Sequence, residues 1–409
     1  MTLLGKPRGR LRSGLARLTG PQRFLLAGSF LIPLGSFAVL PFMSVLLHQR
    51  LGMGLGTVGV VLAVASLVQF SGGVVGGAIA ERIGLRRTML LALVIRTAGF
   101  ACFLPGLHHP AAAVFALFLV SVGAALYLPA NKAYLIHEVH EVDEEQRPLL
   151  LSASSSALNA GIALGPLAAA PFVLGASAGL FTAVTALFAA ITVGHVLLPG
   201  EDPGHGRAVG AGQEGRPAHR ERMFTGIAVL PFATTVLSLY VFMFFQHYLA
   251  LYAVPRTSTT YYGLVLALYA LLLVVAQPLL ADWITCLPYA RALGVGFGAM
   301  AAGMATLAVG NHAAILAGAL LVCVGEIVLF FKNDLEALAR SPRAPAVVFG
   351  HQRLAAGIGA FASGVAGGEG YQLAERGGSA GLFWVAVAAQ CALLPLLLRC
   401  WSALTGRGR

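Results

Sequence analysis

The chain has 409 residues, of which 58% are hydrophobic and 11% charged, with a mean hydropathy of +0.82. Soluble globular domains carry roughly 45–50% apolar and about 25% charged residues, so a soluble architecture could not bury this much apolar surface. The 27 bases and 16 acids leave a charge of +11, and five scattered cysteines without CxxC spacing indicate neither a disulfide framework nor a zinc site. The chain reads as an all-α integral membrane protein.

A bilayer core about 30 Å thick is crossed by about 20 helical residues. In chain order, apolar runs of that length fall at 24–47, 55–80, 88–105, 111–135, 149–174, 178–198, 224–252, 259–281, 290–310, 313–336, 345–370 and 379–402. These are twelve expected transmembrane helices. The runs are continuous rather than alternating, which favours helices over a barrel. A basic segment, 1–23, precedes them. The run that follows it is too long for a signal peptide and lacks a small-residue cleavage site, so it reads as an uncleaved first helix. Between the sixth and seventh runs, residues 199–222 turn polar and Gly-rich, as a flexible linker does. The expected organisation is therefore an N-terminal six-helix bundle (24–198), the linker, a C-terminal six-helix bundle (223–402) and a short tail (403–409).

Base placement sets the orientation. With the N-terminus cytoplasmic, only Arg50, Arg256 and Arg376 fall on the opposite side. Arg96, Lys132, Lys332 and Arg353 lie within or at the ends of spans, and every other base is cytoplasmic. This is a strong positive-inside bias that places both termini in the cytoplasm. It also accounts for the basic balance without a nucleic-acid partner.

The two halves echo each other. Span 2 ends Ala80-Glu81-Arg82 and span 8 ends Ala281-Asp282-Trp283. Span 4 ends Asn131-Lys132 and span 10 ends Lys332-Asn333, in a chain with only three lysines. Internal duplication of this kind marks secondary transporters, whose substrate site lies near the midplane between repeats.

The loop between spans 2 and 3 carries Gly77, Glu81, Arg82, Gly84, Arg86 and Arg87. This pattern resembles the G-x-x-x-D-R-x-G-R-R/K signature of the major facilitator superfamily, with Glu81 for the usual aspartate and Leu85 for the first arginine. Its carboxylate and arginines can form charge-assisted bonds that latch one conformation. Span 5 holds Gly161, Gly165 and Pro166, resembling the family's G-x-x-x-G-P element, which exporters tend to carry; the usual following glycines are Ala169 and Ala170. Small residues there permit close helix approach and the proline bends the helix. The arginine that proton-coupled drug exporters carry in span 4, four residues before a glycine, is replaced by Leu119, four before Gly123. The resemblance implies the major facilitator fold and transport by alternating access.

Ionisable residues inside spans cost about 2.5–3.5 kcal/mol on insertion scales and call for a function or a partner. Glu326 is the one acid read as deep in the membrane, roughly 15 Å from the cytoplasmic end of span 10, and Arg353 lies roughly 12 Å in from the same side. Their matched depths suggest a proton carrier, Glu326, whose affinity is switched by Arg353, or else a permanent ion pair. Arg96 is a candidate counter-ion for an anionic substrate, while Lys132 and Lys332 either face the cavity or snorkel to the interface. His351, Gln352 and Asn159 are candidate pathway residues, and Gln69, Gln246, His247, Gln277, Tyr127 and Tyr240 offer further polar contacts. Asp282 is the repeat counterpart of the loop carboxylate. The run from His137 to Glu145 lacks HExxH spacing and reads as a solvated loop, so no metal is expected.

No cofactor or nucleotide-hydrolysing unit is indicated, so an ion gradient is the expected energy source. The chain reads as a non-enzymatic, monomeric, multi-pass protein of a bacterial inner membrane. It is expected to export a drug-like molecule or natural product, and so to confer resistance, in exchange for protons. A proton-symport importer of an anionic metabolite and a transport-inactive sensor or assembly partner are the alternatives.

Overall fold

The structure, a computed structural model, describes residues 20–140, 147–173, 175, 177–198, 227–342 and 345–404. The first part of the basic N-terminal segment, the acidic run 141–146, the linker 199–222 and the extreme tail lie outside the described residues. Also outside are the side chains of Glu81, Lys132, Arg147 and residues 135–140.

The chain is helical throughout the described residues. The first helix, α1 (Gly20–Phe37), continues through irregular turns at Leu40–Phe42, Met43–Val45 and Leu46–Arg50. Pro41 lies at the start of the first of these, where its missing N–H favours a break in the α-helical ladder. There follow α2 (Leu55–Ile83), α3 (Leu85–Gly106), α4 (Pro110–His140), α5 (Arg147–Ala169) and α6 (Ser177–Val196). After the linker come α7 (Val229–Ala253), α8 (Thr259–Cys286), α9 (Tyr289–Leu307), α10 (His312–Arg340), α11 (Pro345–Arg376) and α12 (Gly381–Leu404). Among the described residues, nine stretches are long and apolar enough to cross a membrane, and Ser156–Ala169 and Gly381–Leu393 are shorter apolar helical stretches.

Each expected span coincides with a helix, with differences at the ends. The helix α10 runs four residues past the expected end at 336, and α11 six past 370. Residues 137–140 continue α4 rather than entering a loop. Helices can outlast the apolar core because their backbone bonds are satisfied internally wherever the chain lies. Their starts are set by local chemistry. Ser258 Oγ accepts from the Tyr261 N–H at 3.0 Å and Asn311 Oδ1 from the Ala314 N–H at 2.8 Å, capping α8 and α10. Between α2 and α3, Gly84 turns the chain at φ +90°, a conformation that L side chains rarely adopt.

The packing repeats with a shift of six helices. In the first six, α3 packs on α4, α1 on α5, α2 on α4 and α3 on α6; in the last six, α9 packs on α10, α7 on α11, α8 on α10 and α9 on α12. The two sets meet along α2–α11 and α5–α8. These two seams are themselves exchanged by the same shift.

The seams lie towards the end of the molecule opposite the start of α1, here termed the distal end. Along α2–α11, contacts run from Gly56 beside Glu369, through Ala63 beside Gly364, to Phe70 and Ser71 beside Gly357. A side-chain carbon placed at Gly350, two helical turns further along α11, meets nothing within 4 Å. At the other seam, Gly263 near the start of α8 packs on Pro166, Leu167 and Ala170 at the end of α5. The Tyr262 hydroxyl also donates to the Pro41 carbonyl at 3.4 Å, and Tyr262 meets Phe42 edge-on at 5.3 Å between centroids.

Candidate functional site

Of the expected pathway residues, Glu326 has the most specific surroundings. It projects from α10 and accepts a hydrogen bond from the Tyr269 hydroxyl of α8. Tyr269 is fixed from two further sides: Phe245 of α7 stacks on its ring with centroids 5.4 Å apart, and its carbonyl accepts from Cys323 Sγ at 3.4 Å. The half-buried carboxylate thus bonds to a tyrosine that α7 and α10 hold in place.

Arg353 is not its partner. The Arg353 side chain is exposed, and the acid that feels its charge is Asp334, two residues beyond Lys332 on α10. The expected depth match between Glu326 and Arg353 fails because α10 extends to Arg340. Counted from that end, Glu326 lies about 21 Å in, at 1.5 Å per residue, against about 12 Å for Arg353 from the start of α11. Asp334 was not singled out by the sequence, because it sits only two residues inside the expected end of span 10.

Arg96 lies inside the first set of helices. It is 3% exposed, donates to Ser36 Oγ of α1 and stands 5.0 Å over the Phe188 ring of α6. Room for it comes from Gly123 on α4, where an added side-chain carbon would collide with the Arg96 stem and lie 2.7 Å from the Ala92 carbonyl. A neighbouring buried network joins Tyr127 of α4 to His195 Nε2 of α6 at 3.2 Å and to Asn131 Oδ1 at 3.3 Å.

The other predicted residues take separate places. Lys332 is 7% exposed, and its ammonium donates to the Thr285 carbonyl at 3.1 Å, satisfying an orphan acceptor in the last turn of α8. Its neighbour Asn333 joins a network with Ser238 at 3.2 Å, Tyr289 at 3.0 Å and Thr234 at 3.2 Å. His351 and Gln352 are buried, Gln352 Oε1 without a hydrogen-bond partner among the described residues. Asn159 is half-buried on α5, and Asp282 is exposed on α8.

In the loop motif, Arg82 and Arg87 are exposed, and Arg86 donates to the Val196 carbonyl at 2.5 Å, the last residue of α6. A guanidinium there complements the negative helix end. The span 5 element brings α5 against the α1 backbone: a carbon added at Gly165 would lie 2.6 Å from the Leu34 carbonyl and 2.9 Å from the Ala38 nitrogen. Gly161 likewise abuts Phe30, Pro33 and Leu34. One contact between the two sets is polar and central: Ser66 Oγ of α2 lies 3.1 Å from His247 Nε2 of α7. Sequence patterning picks out His247 as polar within a span but has no means of pairing it with a serine 181 positions away.

Comparison with known proteins adds three findings. Residues 25–364 match the Major Facilitator Superfamily model. Multidrug resistance protein MdtH of Salmonella typhimurium is 32% identical over 145 residues, and MdtH of Salmonella paratyphi B matches to the same extent. The match spans 35% of this chain and 35% of those relatives. Among solved structures, the POT family transporter PepTSo superposes with a TM-score of 0.74 at 12% identity, covering 96% of this chain and 99% of that one. The nucleoside transporter NupG gives 0.74 at 12%, covering 93% and 99%. At such identities these two structures speak to the fold.

Proposed function

Because the chain belongs to the major facilitator superfamily, we propose that this membrane transporter exports a drug-like small molecule in exchange for protons. In this reading it works in a bacterial inner membrane with both termini cytoplasmic. The bundles 24–198 and 223–402, joined by the linker 199–222, rock about their seams, and the arrangement described above is the one open to the cytoplasm. The loop residues Gly77, Glu81, Arg82, Gly84, Arg86 and Arg87 brace the terminal end, and Gly161, Gly165 and Pro166 hold α5 on α1.

The observation that carries the proton-coupled reading is the setting of Glu326. Its half-buried carboxylate is held by the Tyr269 hydroxyl, and among the described residues no cation is paired with it. It can therefore take up or release a proton without any ion pair being broken. The resemblance of the span 5 element to exporters, and a relative named as a multidrug resistance protein, support the outward direction. The enclosure of Arg96 by Ser36, Gly123 and Phe188 speaks against its use as counter-ion for an imported anion.

The test is transport in proteoliposomes of known orientation. Glu326→Gln is expected to abolish accumulation driven by a pH gradient while leaving substrate counterflow at zero gradient intact. Unchanged pH-driven accumulation would remove the proton-carrier role. Accumulation in the opposite direction would favour the importer, and any flux at all dismisses a transport-inactive sensor.

A further inference from the structure

A crevice of about 260 Å³ opens at the distal end of the molecule, away from Glu326 and from every residue assigned above. Two of its walls come from opposite sets of helices. His48 and Gln49 belong to the irregular last turn of the α1 segment, whereas Arg256, Tyr371 and Glu375 come from the distal ends of α7 and α11. Leu251 and Ala380 supply apolar surface.

The charged groups are arranged for a ligand with two poles. Arg256 is held in one orientation: it donates to the Tyr252 carbonyl at 2.9 Å, and its guanidinium lies 4.0 Å over the Tyr252 ring. Five N–H donors on a guanidinium exceed what these contacts consume, so the group retains donors in the fork geometry that suits a carboxylate. Glu375 is exposed, and its carboxylate has no hydrogen bond or ion pair among the described residues. His48 Nδ1 donates to the Met53 carbonyl at 2.8 Å, which leaves Nε2 as an acceptor. A simple anion in this crevice meets Glu375 and a simple cation meets Arg256. A zwitterion satisfies both, its ammonium on Glu375 and His48 and its carboxylate on Arg256. The volume lies below the roughly 300–1,000 Å³ typical of pockets for drug-sized ligands, so the occupant is smaller than the proposed export substrate.

We propose that this crevice is a binding site for a small zwitterion, an amino acid with an apolar side chain that rests on Leu251 and Ala380. The ligand spans the two sets of helices and reaches all its partners only when the distal end is closed. The site is independent of the export reading, because binding here uses neither the drug nor a proton gradient.

The test is equilibrium binding of radiolabelled L-leucine to the purified full-length protein in detergent, without drug or gradient. Saturable binding is expected, and Glu375→Gln and Arg256→Gln are each expected to weaken it about tenfold or more, the loss of one charge-assisted bond. Leucinamide and N-acetylleucine, each lacking one charge, should compete at least as poorly. Arg256 also props Tyr252, so Glu375→Gln, on an exposed side chain, is the decisive variant. The absence of saturable L-leucine binding, full affinity in Glu375→Gln, or equal competition by leucinamide would each overturn the proposal.

Discussion

Ser66 Oγ and His247 Nε2, 3.1 Å apart, form a hydrogen bond that joins α2 of the first set of helices to α7 of the second. Interhelical hydrogen bonds in membranes average about 0.6 kcal/mol. Ser66→Ala should therefore raise the population of the distally open state about threefold. The check is the labelling rate of a cysteine at Ala63, which is fully buried in the seam, by an impermeant maleimide added from the distal side. Equal rates in the two backgrounds would mean that the bond contributes nothing to closure.

The α2–α11 seam is backbone against backbone. A carbon added at Gly59 would lie 2.7 Å from the Gly368 Cα and 2.8 Å from the Tyr248 hydroxyl, and one at Gly364 would lie 2.7 Å from the Ala63 Cα. The Gly368 and Ala63 atoms are backbone, which cannot yield as a flexible side-chain tip would. Gly364→Val is expected to penalise the closed seam by ~1–3 kcal/mol, as overpacking does, and to slow transport about tenfold or more. Spin-label distances between α2 and α11 should widen in the same variant while the protein remains monodisperse.

Arg96 is buried between Ser36 and Phe188, and if it only fills that space its charge is dispensable. Replacing a buried charge by an apolar residue of similar length is often neutral, whereas truncation leaves its partner and its space unfilled. Arg96→Met should keep transport within about threefold of wild type, whereas Arg96→Ala should lower thermal stability by ~2–4 kcal/mol. A selective loss of substrate affinity in Arg96→Met, with the melting temperature unchanged, would instead return Arg96 to the substrate path.

Gly84 closes the turn from α2 to α3 at φ +90°. With ψ at 155° the residue sits in a region open essentially to glycine alone, and an alanine there costs about 1–3 kcal/mol. Gly84→Ala should lower the melting temperature in detergent by a few degrees without changing which substrates are carried. An unaltered melting curve would show that the turn relaxes freely.

Much of the fold is legible in the sequence because a bilayer imposes a length on every apolar run, and all twelve expected runs coincide with helices. What escapes is whatever depends on helix ends and on distant partners. The α10 helix passes beyond its apolar stretch to Arg340, which sets Glu326 further from that helix end and leaves Asp334 as the acid near Arg353. Tyr269 reads as one more aromatic in an apolar span, and its hydroxyl gains meaning only when α8 is laid against α10. Arg96 looks like a cation awaiting a ligand until Gly123 and Ser36 are seen to enclose it. Asn131 and Asn333 read alike in sequence and both are buried and hydrogen-bonded, but their partners differ: Tyr127 of the same helix for one, Ser238 of α7 for the other.

The two joints between the sets, α2 with α11 and α5 with α8, are copies of one another under the six-helix shift. A near-twofold axis therefore threads the molecule between them. The joints are alike in place but not in chemistry: glycines meet across α2–α11, whereas Gly263 meets Pro166, Leu167 and Ala170 across α5–α8. Because both joints tie the same two sets of helices together, a tilt of one set against the other strains the two at once.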